Sequence, residues 1–242
     1  MDNQDQEWLL MKRILLKTKP KSELAKAALE ALRNWDAMAT RDHFEVTIYS
    51  AWQRELSARL YRQIQSELPY WAKPVHNDFF VLKQLEDEGE YCKDFDGGCA
   101  GLMTDTLESA VATLKTTFHS EQIEDWRWGS AHYASFKHNF FKKVPLLGRY
   151  AERKARVNGT RDSLNRSRWY SNKDGFAGVE GACFRMISDL DEPYGEFSIP
   201  MGQSGHIFSK HYADILDVWA NGEYIAIPNR EESAKLTMVA DD

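Results

Sequence analysis

The chain has 242 residues, 43% of them hydrophobic, with 8 Trp, 10 Tyr and 12 Phe; that much apolar and aromatic material excludes a disordered polymer and suffices to bury a core. Its 31 basic residues against 37 acidic ones leave a formal net charge of -6, the opposite of a basic stripe, so no nucleic-acid partner is expected. No stretch approaches the roughly 18 apolar residues of a membrane-spanning helix, and Asp2, Asp5, Glu7, Lys12 and Arg13 break the pattern of a secretory signal, so neither a membrane partner nor an export signal on this chain is expected.

In chain order, the first elements read as helices. Leu24, Ala28, Ala31 and Trp35 follow a candidate Ser22 cap, and Phe44, Ile48, Trp52, Leu56 and Leu60 recur at four-residue steps, the period of one helix face. Phe79-Phe-Val-Leu82 is an apolar run of core size. Leu107, Ala110, Val111, Leu114 and Phe118 again share one face, with Thr104 or Asp105 as the candidate cap. From about residue 126 the pattern changes to short extended runs broken by Gly, Pro and Asn. Stretches 182–190 and 196–199 read as a hairpin or adjacent strands. One late helix carries Tyr212, Ile215, Leu216 and Trp219, with Ser209 as cap and Asn221-Gly222 as stop, and 235–239 reads as a terminal strand. The fold class is therefore α+β, helices first and strands later. No repeat or linker marks a boundary, so residues 1–242 read as a single unit, mainly helical over 1–125 and mainly strands and loops over 126–242.

The residues that could carry chemistry do not form a visible set. Cys92 and Cys99 flank a turn-rich stretch with two glycines, which leaves a disulfide or two independent thiols open, and no C-x-x-C pair points to zinc. Gly202-Gln203-Ser204-Gly205-His206 departs from a nucleophile elbow because His206 stands where glycine is needed. Asp94-Phe-Asp96-Gly97 begins like a calcium loop, but Gly98, Ala100 and Asp105 then fall at ligand positions that need other side chains. His132 and His138, six residues apart and so not on one helix face, have no carboxylate partner at ligand spacing and read as held by core or loop hydrogen bonds. Arg149, Arg153, Lys154, Arg156, Arg161, Arg166 and Arg168 form the most basic stretch, read as a solvated face or as a site for an anionic ligand. No Gly-rich phosphate loop accompanies it.

A resemblance covers more of the chain. Trp126-Arg-Trp128-Gly129-Ser-Ala-His132, Phe136-Lys-His138 and Pro145-Leu-Leu-Gly148 are similar to the tryptophan-glycine-histidine stretch of the penicillin acylase β-chain. The segment from Gly159 to Asn165 resembles that family's glycine-to-asparagine segment, and the stretch from Gly181 through Arg185 to Leu190 resembles its arginine-bearing strand. The stretch Pro200-Met-Gly202-Gln203-Ser204-Gly205, followed by Ser209-Lys-His211-Tyr212-Ala-Asp214 and Trp219, is similar to its C-terminal signature. Over the first half, the helical segments and the Cys92 to Cys99 loop look like the acyl-homoserine-lactone acylase branch, where a comparable paired-cysteine loop occurs.

The resemblance implies an N-terminal-nucleophile hydrolase of four layers, two sheets between helices, which hydrolyses linear amides such as β-lactam antibiotics or N-acyl-homoserine lactones. In that family a self-cleaved precursor exposes a serine whose own amine serves as base, while an asparagine and backbone amides hold the oxyanion. The resemblance here begins well inside the β-chain, so those groups and the calcium ligands are not carried over, and no catalytic, cofactor or metal residue is assigned to this chain. Trp128, Gly129, His132, His138, Asn165, Arg185, Gly202, Gln203, Ser204, Gly205, His211 and Tyr212 are expected to be structural. The chain reads as the C-terminal part of the β-subunit, inactive alone, partnered by the α-chain and the rest of the β-chain, with self-association through exposed sheet edges and a periplasmic or secreted location for the complete precursor. The alternative is a non-catalytic binding or assembly module on the same scaffold.

Overall fold

The computed structural model describes residues 2–67, 78–86, 89–169, 175–191 and 194–227. The chain, which carries no linker signal, divides into two compact units, residues 1–135 with 156–181, and 136–155 with the chain from 182 onward.

The larger unit is built on helices. Helix α1 (Gln6–Leu15) is started by Asp5, whose carboxylate accepts the Trp8 backbone N–H at 2.7 Å, satisfying one of the free donors of the first turn. Its buried side is Trp8, Met11, Ile14 and Leu15. Helix α2 (Glu23–Asn34) has the expected cap, because the Ser22 hydroxyl accepts from Ala25 N–H at 3.2 Å. Glu108 in turn holds Ser22, accepting its hydroxyl proton at 2.6 Å and the Lys21 and Ser22 amides. Helix α3 (Glu45–Glu67) buries Ile48, Trp52, Leu56 and Leu60 as the four-residue steps predict. The apolar run at Phe79 opens helix α4 (Asp78–Glu86), of which Val81 and Leu85 are buried while Phe79 remains largely exposed.

Helix α5 (Gly98–Phe118) starts six residues before the Thr104 cap expected from the apolar pattern. Its first turn is Gly-Cys-Ala-Gly, too poor in large apolar residues to show a periodic face, and Thr104 lies within the helix, its hydroxyl donating to the Ala100 carbonyl at 2.9 Å. The start is fixed instead by Gly97 in a left-handed conformation and by a disulfide from Cys92 to Cys99, whose Cα atoms lie 4.8 Å apart. Helices α3 and α5 are joined at Trp52, whose indole N–H reaches the Met103 carbonyl at 3.1 Å and the Thr106 hydroxyl at 3.0 Å. Trp8, Trp35 and Tyr49 meet with ring centroids 5.1 to 6.0 Å apart, within the range of favourable tilted aromatic packing.

Two short helices, α6 (Trp128–Ala131) and α7 (Pro145–Ala151), lie in the half read as strands and loops; four and seven residues are too few for a helical period to stand out from the sequence. Strand β1 (Tyr133–Phe136) follows α6 and strand β2 (Arg153–Arg156) follows α7, each where the chain passes from one unit to the other. In the larger unit, β3 (Ser167–Arg168) pairs antiparallel with β4 (Glu180–Gly181), Ser167 opposite Gly181. In the smaller unit, β5 (Arg185–Ile187) pairs antiparallel with β6 (Glu196–Ser198), Arg185 opposite Ser198, as the two extended runs predict. A strand not read from the sequence, β7 (Ile225–Ala226), completes this sheet on the other edge of β6. Helix α8 (Leu216–Asn221) ends at Gly222 with φ of 77°, the expected left-handed stop, but it begins after Ser209, whose hydroxyl instead accepts the His211 amide. The terminal strand expected at 235–239 lies outside the described residues. Small antiparallel sheets and helices thus make the chain α+β.

Candidate functional site

The motif residues of the larger unit converge on one buried node. The Trp128 indole N–H donates to the Gly159 carbonyl at 3.0 Å, and its ring stacks on His132 with centroids 4.3 Å apart and planes 15° apart. His132 is fully buried, with Nδ1 on the Phe176 carbonyl and Nε2 2.8 Å from the Ser167 hydroxyl. A carbonyl only accepts, so Nδ1 carries the ring proton and Nε2 accepts from Ser167. Burial pushes the imidazole down to about 4. A hydroxyl against an imidazole is the form of an activated nucleophile, but a base this weak holds little affinity for a proton at neutral pH, and the pair is sealed from solvent. His132 is a neutral connector.

Asn165 belongs to the same node. Its side-chain amide donates to Asn3 Oδ1 at 2.8 Å, and its backbone N–H donates to the Asp2 carbonyl at 2.9 Å, which ties the start of the chain to this loop. Gly159 has φ of 84°, and a Cβ there would sit 1.8 Å from the Asn165 carbonyl oxygen; only glycine fits. Gly129 donates its amide to the Arg41 carbonyl at 2.8 Å.

The motif residues of the smaller unit form a second group. The Ser204 amide donates to the His211 carbonyl at 3.0 Å, and a Cβ on Gly202 would lie 2.2 Å from that same oxygen. The Ser204 hydroxyl accepts the His206 backbone amide at 3.1 Å. His211 Nδ1 lies 2.7 Å from Asp214 Oδ2, and this hydrogen bond holds the exposed Asp214 carboxyl below its usual range. His138 accepts the Phe140 and Phe141 amides on Nδ1 and sits 3.0 Å from the Gly205 carbonyl on Nε2. Tyr212 donates its hydroxyl to the Ala151 carbonyl at 2.7 Å. The Arg185 guanidinium donates to the Trp219 carbonyl at 2.7 Å and lies 5.0 Å above that ring. Gln203 is exposed in the loop.

One cluster is absent from the sequence reading. Asp5 and Glu7 line a cavity of about 20 Å³ together with Asp162, Tyr49, Gln53, Thr160 and Arg161. Asp5 accepts the Thr160 hydroxyl at 2.6 Å, and Gln53 donates to both Glu7 oxygens at 3.1 and 3.0 Å. Arg161 pairs with Asp162 at 3.1 Å. Burial first, then the neighbouring Asp5 and Asp162 charges, push Glu7 up to about 8; burial raises Asp5 to about 6 against the Thr160 hydrogen bond that favours its ionised form. The Tyr49 hydroxyl is buried beside Glu7 without a hydrogen bond of good geometry, and it too is held above its ordinary range by burial. The cluster stores a proton at neutral pH, but so small a cavity admits no substrate. The signal that could have revealed it is the pair Asp5 and Glu7 straddling the start of an apolar helix, where one acid caps and the other points inward. Among the described residues no three His, Cys, Asp or Glu side chains are placed to hold a metal ion.

The sequence matches the penicillin amidase family model over residues 1–235. It is 30% identical over 176 residues to the acyl-homoserine lactone acylase QuiP of Pseudomonas syringae pv. tomato, a match covering 70% of this chain and 18% of that protein. To QuiP of Pseudomonas aeruginosa it is 27% identical over 143 residues, covering 52% of this chain and 16% of the relative. The chain thus spans less than a fifth of the length of these curated relatives. Its fold is similar to that of the thermostable penicillin G acylase from Alcaligenes faecalis, with a TM-score of 0.56 at 16% identity, covering 100% of this chain and 48% of that one. Two structural nodes built from the motif residues, and a family match running through both, lead to one conclusion: the chain belongs to the penicillin amidase family.

Proposed function

We propose that this chain is the C-terminal part of the β-subunit of an N-terminal-nucleophile amidase, which hydrolyses linear amides such as N-acyl-homoserine lactones or β-lactam antibiotics only when joined to the rest of the enzyme. Two observations carry this reading together: a family match over residues 1–235, and matches to curated relatives that cover only 16 and 18% of those proteins. The motif residues support it: Trp128, His132, Arg185 and Tyr212 bond to backbone carbonyls and Asn165 bonds to the Asn3 side chain, which is the use expected of a scaffold. In the complete enzyme the four-layer fold, the nucleophile, the oxyanion donors and the calcium ligands come from the remaining sequence, and the precursor is periplasmic or secreted.

Exposed apolar side chains support a partner. Phe140, Leu146, Tyr150 and Phe208 of the smaller unit are 78%, 82%, 58% and 72% exposed, a density that favours burial against another chain or self-association. The test is acylase turnover with an N-acyl-homoserine lactone and a chromogenic phenylacetyl amide. The purified chain alone is expected to show none above background, while coexpression with the missing portion of the enzyme restores it; robust turnover by the chain alone overturns the reading. A non-catalytic module on the same scaffold predicts no turnover in either case.

A further inference from the structure

The basic stretch of the sequence does not behave as one surface. Arg161 pairs with Asp162, and Arg166 and Arg168 both pair with Glu180, so these three are neutralised locally. Arg156 is different. It lines a cleft of about 260 Å³ together with Arg41 and Arg127, which come from distant parts of the sequence, and with Ser130 and Gly129. Among the described residues, none of these three guanidinium groups has an ion pair or a side-chain hydrogen bond. The carboxylate at the cleft, Asp42, is exposed and has no ion pair with them. Three guanidinium charges gathered, among the described residues, without an ion-pair partner on a protein of net charge -6 carry a repulsion that an anion would relieve.

The backbone under the cleft is fixed. The Gly129 and Trp128 amides donate to the Arg41 and His43 carbonyls at 2.8 and 2.9 Å, and the Arg41 amide donates to Asn158 Oδ1 at 2.8 Å. A Cβ on Gly129 would meet Arg41 Cβ at 2.8 Å, so the segments that carry Arg41 and Arg127 are in direct contact. Trp126 and Trp128, on either side of Arg127, are fully buried and anchor it. The three side chains therefore start from a frame that needs no rearrangement to converge, which lowers the cost of binding.

We propose that Arg41, Arg127 and Arg156 form a binding site for a small polyvalent oxyanion, of the phosphate or dicarboxylate class, with Ser130 as a further donor. Guanidinium forks match planar pairs of oxygens in either class, and the cleft volume suits a ligand of a few heavy atoms better than a polymer.

The test is calorimetric titration of the 242-residue chain with inorganic phosphate and, separately, with succinate, at constant ionic strength. The expected result is saturable one-to-one binding of at least one of them. Arg127→Gln and Arg156→Gln should each weaken it about tenfold or more, as loss of one charge-assisted fork implies, while Arg149→Gln, outside the cleft, leaves it unchanged. Near-ultraviolet circular dichroism of each variant checks that the fold is kept, and both substituted side chains are exposed, so folding is expected to survive. Absence of saturable binding with both probes overturns the proposal, as does equal affinity in a folded triple Arg→Gln variant.

Discussion

Glu7 links the stability of the fold to pH through its buried carboxyl. Unfolded, its carboxyl titrates near 4.5; folded, burial and neighbouring acids raise it to about 8. Through that window the folded chain keeps a proton that the unfolded chain has released, so stability falls as pH rises. Asp5 acts in the same direction between 3.8 and about 6. His132 opposes them, because its folded value near 4 lies below the ordinary 6.5, and its contribution grows as pH rises between those two values. Above pH 6.5, of these three groups only Glu7 still differs in protonation between the folded and unfolded states. Urea denaturation is therefore expected to show stability declining from pH 6.5 to 8, by up to about 1.4 kcal/mol per pH unit for one proton, and Glu7→Gln should flatten that decline. A slope of equal size in the variant would show that another group is responsible. Gly159→Ala is the sharpest test of backbone demand. A methyl group placed 1.8 Å from a carbonyl oxygen at φ of 84° should cost well over the roughly 1 kcal/mol of an ordinary misplaced alanine, read as a lower melting temperature. The sequence marks Gly159 only as part of a motif; its conformation depends on Asn165, which the fold brings against it.

Helices show how far periodicity carries. The faces of α2 and α3 are legible because each repeats over several turns, and Ser22 caps where a short polar residue before an apolar face should. Helix α1 is hidden because its apolar positions are interrupted by Lys12 and Arg13, yet these fall at its last turn, where positive charge is favourable. The join between α3 and α5 cannot be read from either helix alone, since the Trp52 indole finds its acceptors some fifty residues further on. Trp52→Ala is expected to cost roughly 3 to 5 kcal/mol from the lost volume and buried indole, measured by equilibrium unfolding; a loss below 1 kcal/mol would mean that the two helices hold without it. The bridge at the head of α5 is tested by thiol titration. Under denaturing, non-reducing conditions one cysteine should react, because Cys183 is the free one, and three should react after reduction. Three reactive thiols before reduction would remove the bridge.

At the scale of the whole molecule, what was legible came from motif order, not from composition. Charge and hydrophobicity lead only to an α+β protein with no visible site, whereas the order of the tryptophan, asparagine, arginine and glycine-serine segments points to the family that the match over residues 1–235 establishes. The division into two units is illegible for a simple reason: no linker separates them, because the chain leaves the larger unit at residue 135, returns at 156 and leaves again at 181. That interleaving also governs the order in which the protein can take shape as it is synthesised. The Asp5 carboxylate of the early helical region and the Trp128 indole beyond it wait for Thr160 and Gly159. Ala151 waits longer still, since its buried partner Tyr212 is made 61 residues later. A nascent chain that has emerged past residue 160 but not yet to 212 would therefore hold a helical unit with most of its core partners in place and a hanging segment, 136–155, with its apolar side chains unmatched, which makes that interval one in need of a chaperone.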